Sequence, residues 1–285
     1  MNERNIRRSA LSLSALLLLA SCSYSPTHVG RAFTFSPEET SSSSKAEKSS
    51  YKILFIGNSF TYFNDIDDVC QSLGQSLGMD ISCYKFAVGS QKLAQSADPE
   101  NELGAQIAAD LEAHGDYTDI VLQEQSTTPL SSYSSFLSGV AKLQKKIQAT
   151  QDNADIHLYE TWGYSGMSGG YESIRAGEEA LREAYRKAGS VLEIDVSYVG
   201  KAFTYVLENH PEINLYWEDN KHPSFAGTYL SAATQLCAIS GIDVRASTFH
   251  GSSEKTFEGV PCVIDASVAQ TLLSVAYDAA TGAIE

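Results

Sequence analysis

The sequence predicts an α/β domain, a parallel sheet covered by helices on both faces. Three observations predict it. Short apolar runs of strand length occur five times between residues 52 and 198. The segments between them repeat apolar residues every three or four positions, the period of a helix with one buried face. The spacing leaves no second core-sized segment, so residues 51–285 are expected to be one domain. The expected strands, in order, are 52–56, 81–87, 118–123, 154–161 and 192–198. The expected helices carry the stripes Ile66-Val69-Leu73-Leu77, Phe136-Val140-Leu143-Ile147, Ile174-Leu181-Tyr185, Tyr229-Ala233-Leu236-Cys237 and Val268-Leu272-Val275. Stripes of this kind belong to a core, and no internal repeat interrupts them.

The chain has 285 residues, 43% of them hydrophobic and 10% aromatic, enough for a core of useful size. Lys plus Arg total 20 against 35 Asp plus Glu, a formal charge of −15. That balance argues against nucleic acid, whose phosphates require a basic footprint. It also argues against electrostatic docking on anionic lipid heads. A solubilising surface accounts for it.

Residues 1–21 have the layout of a secretory signal: Arg4, Arg7 and Arg8, then an apolar run over 10–20 that is short for a transmembrane helix. The run ends in Leu19-Ala20-Ser21-Cys22, which resembles the lipobox of bacterial lipoproteins. The resemblance implies lipidation of Cys22 and export to the bacterial cell envelope, facing the periplasm or the surface. An ordinary cleaved signal with an incidental Cys22 is the alternative. Residues 22–50, with Pro26, Pro37 and the run Ser41 to Ser44, cannot bury enough apolar surface to fold and read as a lipid-anchored tether. Membrane contact is then expected through the anchor only. Export permits disulfides, but Cys70, Cys83, Cys237 and Cys262 show neither metal-ligand spacing nor a dense framework, and their pairing stays open. Oligomeric state is not legible.

Ligands of open parallel sheets bind beyond the carboxyl ends of the strands. The first strand is followed there by Gly57-Asn58-Ser59-Phe60-Thr61, the second by Val88-Gly89-Ser90 and the third by Glu124-Gln125-Ser126. Asp219-Asn220-Lys221-His222-Pro223-Ser224 precedes a late helix. Together these residues make a set for acyl transfer. A serine hydroxyl needs a base to take its proton, and histidine titrates in the useful range. A carboxylate must orient the imidazole and stabilise it once protonated, which Asp219 does for His222 if the loop bends back. Pro223 disfavours helical geometry at His222. The backbone N–H groups of Ser59 and Gly89 are candidates to bind the developing oxyanion.

These blocks resemble the SGNH (GDSL-like) hydrolase superfamily over roughly residues 51–240. Gly57-Asn58-Ser59 stands where the family has Gly-Asp-Ser, Gly89 where it has its second-block glycine, and Asp219 and His222 where it has Asp-x-x-His. The resemblance implies a three-layer α/β/α sandwich with a flavodoxin-like sheet of five parallel strands. It also implies a serine ester hydrolase, with Ser59 as nucleophile, His222 as base and Asp219 as its partner. The Asp-x-x-His-Pro-Ser form resembles branches that remove acetyl groups from carbohydrates, so the expected substrate is a small-molecule or glycan ester. The third block departs from the family. Where Gly-x-Asn-Asp is usual, this sequence has Gln123-Glu124-Gln125-Ser126. Gln125 takes the position of the oxyanion-donating Asn, and Gln123 competes with it; if the strand runs on, the two share a direction. Asn58 also replaces the family's first-block Asp. A surface glycan-binding lipoprotein that keeps the fold without turnover is the alternative.

Other candidates carry blander readings. Gly166-Met167-Ser168-Gly169-Gly170 fits the Gly-x-Ser-x-Gly elbow, but residues 162–170 read as a glycine-rich loop rather than a strand-to-helix turn. Gly-x-Ser alone is often a plain turn, and Asp219 alone could cap a helix. Asp65, Asp67 and Asp68 look like the acidic start of a helix. His114 ends a helix and His157 sits in a strand. No phosphate loop or dinucleotide fingerprint occurs, and no cofactor or metal is implied.

Overall fold

The computed structural model describes residues 48–284. The signal segment 1–21, Cys22 and nearly all of the tether lie outside the described residues. In β1 (Tyr51–Gly57), four successive residues, Ile53 to Ile56, are wholly buried. A strand that hides neighbours rather than alternate residues lies inside a parallel sheet with helices on each face. β2 (Ile81–Ala87), β3 (Asp119–Leu122), β4 (Asp155–Glu160) and β5 (Asp195–Tyr198) complete the sheet. All neighbours pair in parallel, in the order β2-β1-β3-β4-β5. This is the expected flavodoxin-like α/β architecture, with all five strands in place. β3 stops at Leu122, so strand alternation does not set the directions of Gln123 and Gln125. The order reverses between β1 and β3, which makes the crevice at their carboxyl ends the switch point where such sheets bind ligands.

α1 (Ser59–Tyr62) and α2 (Ile66–Ser76) follow β1, and α3 (Leu93–Ser96) and α4 (Glu102–Ala113) follow β2. α5 (Thr128–Ser131) and α6 (Tyr133–Thr150) follow β3, α7 (Ile174–Leu192) follows β4, and α8 (Val199–Asn209) and α9 (Phe225–Ser240) follow β5. The hairpin β6 (Gly251–Phe257) and β7 (Val260–Val263) precedes α10 (Ala266–Thr281). α2, α9 and α10 pack in one layer; α4, α6 and α7 form the other. The expected stripes are the buried faces. Phe136, Val140, Leu143 and Ile147 of α6 are all inaccessible, and burial of each such side chain contributes roughly 1.5–3 kcal/mol. α9 is buried nearly all round, and Gly241, at φ +72°, ends it by accepting a left-handed cap.

Besides the stripe of α4 and the one-turn helices α1, α3 and α5, two larger parts of the fold exceed the sequence expectation. α8 buries Val199, Ala202, Phe203 and Val206, a helical spacing that the expected stripes did not include. The β6–β7 hairpin forms a separate two-stranded sheet. Its turn residues Glu258 and Gly259 both have positive φ, +48° and +81°, as a two-residue type I′ hairpin requires. β6 reads Gly-Ser-Ser-Glu-Lys-Thr-Phe, with no apolar alternation to announce it.

Candidate active site

The nucleophile candidate stands at the first turn after β1. Gly57 allows that turn to close. A Cβ at Gly57 would lie 2.2 Å from Thr61 Oγ1 and 2.6 Å from Gln123 Oε1. The space it leaves lets Gln123 Oε1 accept from the Asn58 N–H and from the Thr61 hydroxyl, each at 2.9 Å. Asn58 then caps α1, its side-chain oxygen accepting from the Phe60 N–H. Its amide donates to the Gln91 carbonyl at 3.0 Å, tying the loop after β2 to the serine turn. That bond explains why an amide replaces a carboxylate here: Asp at this position has no proton to give the buried carbonyl. Ser59 is left half-buried at the sheet edge.

The late loop reaches the same edge. Trp217 N–H donates to the His222 carbonyl at 2.7 Å and Ser224 N–H to Leu215 carbonyl, so residues 215–224 double back on themselves. Asn220, at φ +55°, turns the corner. The bend brings Asp219 onto His222 as expected. Asp219 Oδ1 accepts from the backbone N–H groups of Lys221 and His222, and Oδ2 accepts from His222 Nδ1 at 2.5 Å. With the ring proton on Nδ1, Nε2 is an acceptor, and Ser59 Oγ donates to it at 2.8 Å. Ser59, His222 and Asp219 thus form one hydrogen-bonded chain. Burial works to raise the Asp219 carboxyl, but the His222 ring bond and the two backbone N–H bonds outweigh it and hold it below the usual carboxylate range.

Aromatic residues fix the imidazole. Phe63 stacks on His222 with centroids 4.3 Å apart and planes 9° from parallel, and Phe60 meets its edge. Phe60, Trp162 and Phe203 form a stacked column, and Trp162 Nε1 donates to the Lys221 carbonyl at 3.1 Å. Asn64 Nδ2 reaches the Pro223 carbonyl and Thr228 Oγ1. None of these supports was expected from the sequence. They come from loops, where no periodicity marks a partner.

The oxyanion candidates separate by what their groups already do. Neither the Ser59 nor the Gly89 N–H has a hydrogen-bond partner among the described residues. Gln123 is buried, with Oε1 held as above and Nε2 donating to the Glu124 carbonyl, so both ends of its amide serve the fold. Gln125 is only half-buried. Its Oε1 is clamped by the N–H and hydroxyl groups of Thr127 and Thr128, at 3.0–3.2 Å, which leaves the NH2 facing the other way, with one bond to Ser126 Oγ. Beside it Glu124 is wholly buried, accepts from the Gln125 and Leu93 N–H groups, and leaves Oε2 unpartnered. Burial pushes its carboxyl up to about 7, against the pull of those two bonds.

The remaining candidates stay apart from this constellation. Ser168 is exposed on the loop between β4 and α7 and bonds to no histidine. Asp67 and Asp68 lie in the first turn of α2, with Asp65 at its cap; Asp65 and Asp67 pair with Lys85. His157 is a buried strand residue bonded to Asp119 at 2.9 Å, and His114 caps the end of α4. Cys70, Cys83, Cys237 and Cys262 are buried thiols. No group of three or more metal-ligating side chains occurs among the described residues.

No protein-family model matches the sequence, and no curated protein does. Solved structures do match. A Slackia heliotrinireducens protein assigned as an SGNH hydrolase is 26% identical, with a TM-score of 0.55 over 68% of this chain and 100% of that one. A DUF4886 family protein from Bacteroides uniformis is 18% identical, with a TM-score of 0.65 over 81% of this chain and 94% of that one. A Parabacteroides merdae protein assigned as a GDSL-like lipase is 14% identical, with a TM-score of 0.51 over 68% and 97%. The last two are likenesses of fold.

Proposed function

We propose that this chain, whose structure supports a place in the SGNH hydrolase superfamily, is a serine esterase working through an acyl-enzyme. The observation that carries the reading is the continuous Ser59–His222–Asp219 hydrogen-bond chain at the switch point of the sheet. His222 Nε2 takes the Ser59 proton as Oγ attacks the ester carbonyl, and Asp219 stabilises the imidazolium that forms. The carbonyl oxygen becomes an oxyanion, received by the unpaired N–H groups of Ser59 and Gly89 and by the Gln125 amide. Gln125 suits that task because its oxygen is clamped before substrate arrives, so aiming the NH2 costs nothing at the moment of reaction. His222 then returns its proton to the leaving alcohol. Water, deprotonated by the same imidazole, resolves the acyl-enzyme.

The substrate we propose is an O-acetyl ester of a carbohydrate, supported by the Asp219-x-x-His222-Pro223-Ser224 form of the last block. We further propose that the protein is exported and held in the cell envelope by a lipid on Cys22, as Leu19-Ala20-Ser21-Cys22 suggests. A fluorophosphonate probe tests the central point, because it captures only an activated serine. It is expected to label Ser59 in the full chain and to leave the Ser59→Ala variant unlabelled. Labelling of Ser168, or no labelling of the folded wild-type protein, would sink the esterase reading.

A further inference from the structure

A cluster of rings lies against the imidazole side of the site. Phe63, stacked on His222, has Phe257 on its flank with centroids 4.7 Å apart. Trp217 meets both rings edge-on, at 6.4 Å from Phe63 and 5.8 Å from Phe257. Trp217 and Phe257 are half-buried, so each ring keeps surface for a ligand. Phe257 comes from the β6–β7 hairpin, beyond the stretch in which the sequence resembles its superfamily. The hairpin is fastened there by Lys255, whose ammonium pairs with Asp68 at 2.6 Å and Asp65 at 3.1 Å.

We propose that Trp217 and Phe257 form the subsite for the alcohol portion of the ester, and that this portion is a sugar ring. The inference rests on the esterase reading given above. The side follows from the chemistry. His222 Nε2 must hand its proton to the leaving oxygen, so the alcohol departs past the imidazole, and the ring stacked on that imidazole, Phe63, is the one that Phe257 and Trp217 pack against. The ligand class follows from the surroundings. A pyranose offers C–H groups to a ring face and hydroxyls to whatever borders it. The residue after each ring, Glu218 and Glu258, is an exposed carboxylate, an acceptor of the kind that sugar hydroxyls use.

The test compares the full chain with its Phe257→Ala and Trp217→Ala variants on three esters: partially acetylated xylohexaose, ethyl acetate and ethyl octanoate. In each variant the ratio of kcat/KM for the acetylated sugar to that for ethyl acetate is expected to fall about tenfold, the effect of losing one well-placed aromatic contact. Equal losses on both acetates would mean that the rings only brace His222, and a loss confined to the octanoate would make the ledge an acyl-chain site. Either result overturns the proposal. Calorimetry with unacetylated xylohexaose on Ser59→Ala keeps the two readings separate. Sugar binding that weakens in the Ser59→Ala/Phe257→Ala double variant upholds the ledge even if no ester is turned over. Turnover of simple acetates without sugar binding removes the ledge and leaves the esterase standing.

Discussion

Gln123 and Gln125 stand two residues apart and carry the same amide, yet their substitution by alanine should fail in different ways. Gln123→Ala removes the acceptor of the Asn58 N–H and of the Thr61 hydroxyl, and the donor to the Glu124 carbonyl, all at buried positions. An unsatisfied buried polar group costs about 1–3 kcal/mol. Three neighbours that share one side chain do not add fully, so the expected loss is about 3–5 kcal/mol. In urea, that lowers the unfolding midpoint by about 1 M or more at an unchanged slope. Gln125→Ala removes a half-exposed side chain whose clamp of threonine groups can turn to water, and about 1 kcal/mol of stability is expected to go with it. Its larger effect should be kinetic: kcat falls roughly 10- to 1,000-fold with KM little changed, as for a donor used mainly in the transition state. Urea melts and steady-state kinetics with ethyl acetate measure both quantities on the same preparations. If Gln123→Ala cripples kcat at full stability while Gln125→Ala turns over normally, the reasoning from already-engaged hydrogen bonds is wrong. If neither change alters turnover in an active enzyme, the Ser59 and Gly89 N–H groups carry the oxyanion alone.

Ser59→Ala and His222→Ala should each reduce kcat/KM to the level that binding and the oxyanion donors sustain, whereas Asp219→Ala costs less, because its side chain is 44% exposed and its pull on the imidazole is partly screened; equal losses for all three would contradict that ranking. Stability should fall as pH rises from about 4.5 to about 7. Burial raises Glu124 to about 7, Glu178 to about 6 and Glu160 well above its usual range, so the folded state keeps protons that the unfolded chain has released. Each group lowers stability by up to about 1.4 kcal/mol per pH unit within its window. Glu124→Gln should flatten the slope of urea midpoints between pH 5 and 7, and an unchanged slope would show that Glu124 is already ionised there. Cys22→Ser should move the protein from the membrane fraction to the soluble one with its esterase activity intact; full recovery in membranes would point to a different anchor.

The parts of this protein legible in the sequence are those where one physical period or one local geometry suffices. The strands and most of the helices show because a buried face repeats at fixed spacing. The Asp219–His222 bond shows because three residues and a proline define a bend on their own. The hairpin β6–β7 does not show. β6 is largely exposed and polar, and the contacts that hold the hairpin, Lys255 on Asp65 and Asp68 and Phe257 on Phe63, reach far back in the chain. The roles of Asn58 and Phe63 are invisible for the same reason, since each is defined by a partner distant in sequence, Gln91 for one and His222 for the other.

The sequence by itself determined the α/β class and the positions of Ser59, Gly89 and Gln125 just beyond the strands. Tertiary structure alone decided which of two glutamines is buried and which stays half-exposed. Both carry the same functional group in the same loop, and their partners distinguish them: the buried Asn58 N–H and Thr61 hydroxyl for Gln123, the groups of Thr127 and Thr128 for Gln125. Burial and hydrogen-bond satisfaction are properties of the packed molecule, and a linear pattern does not contain them.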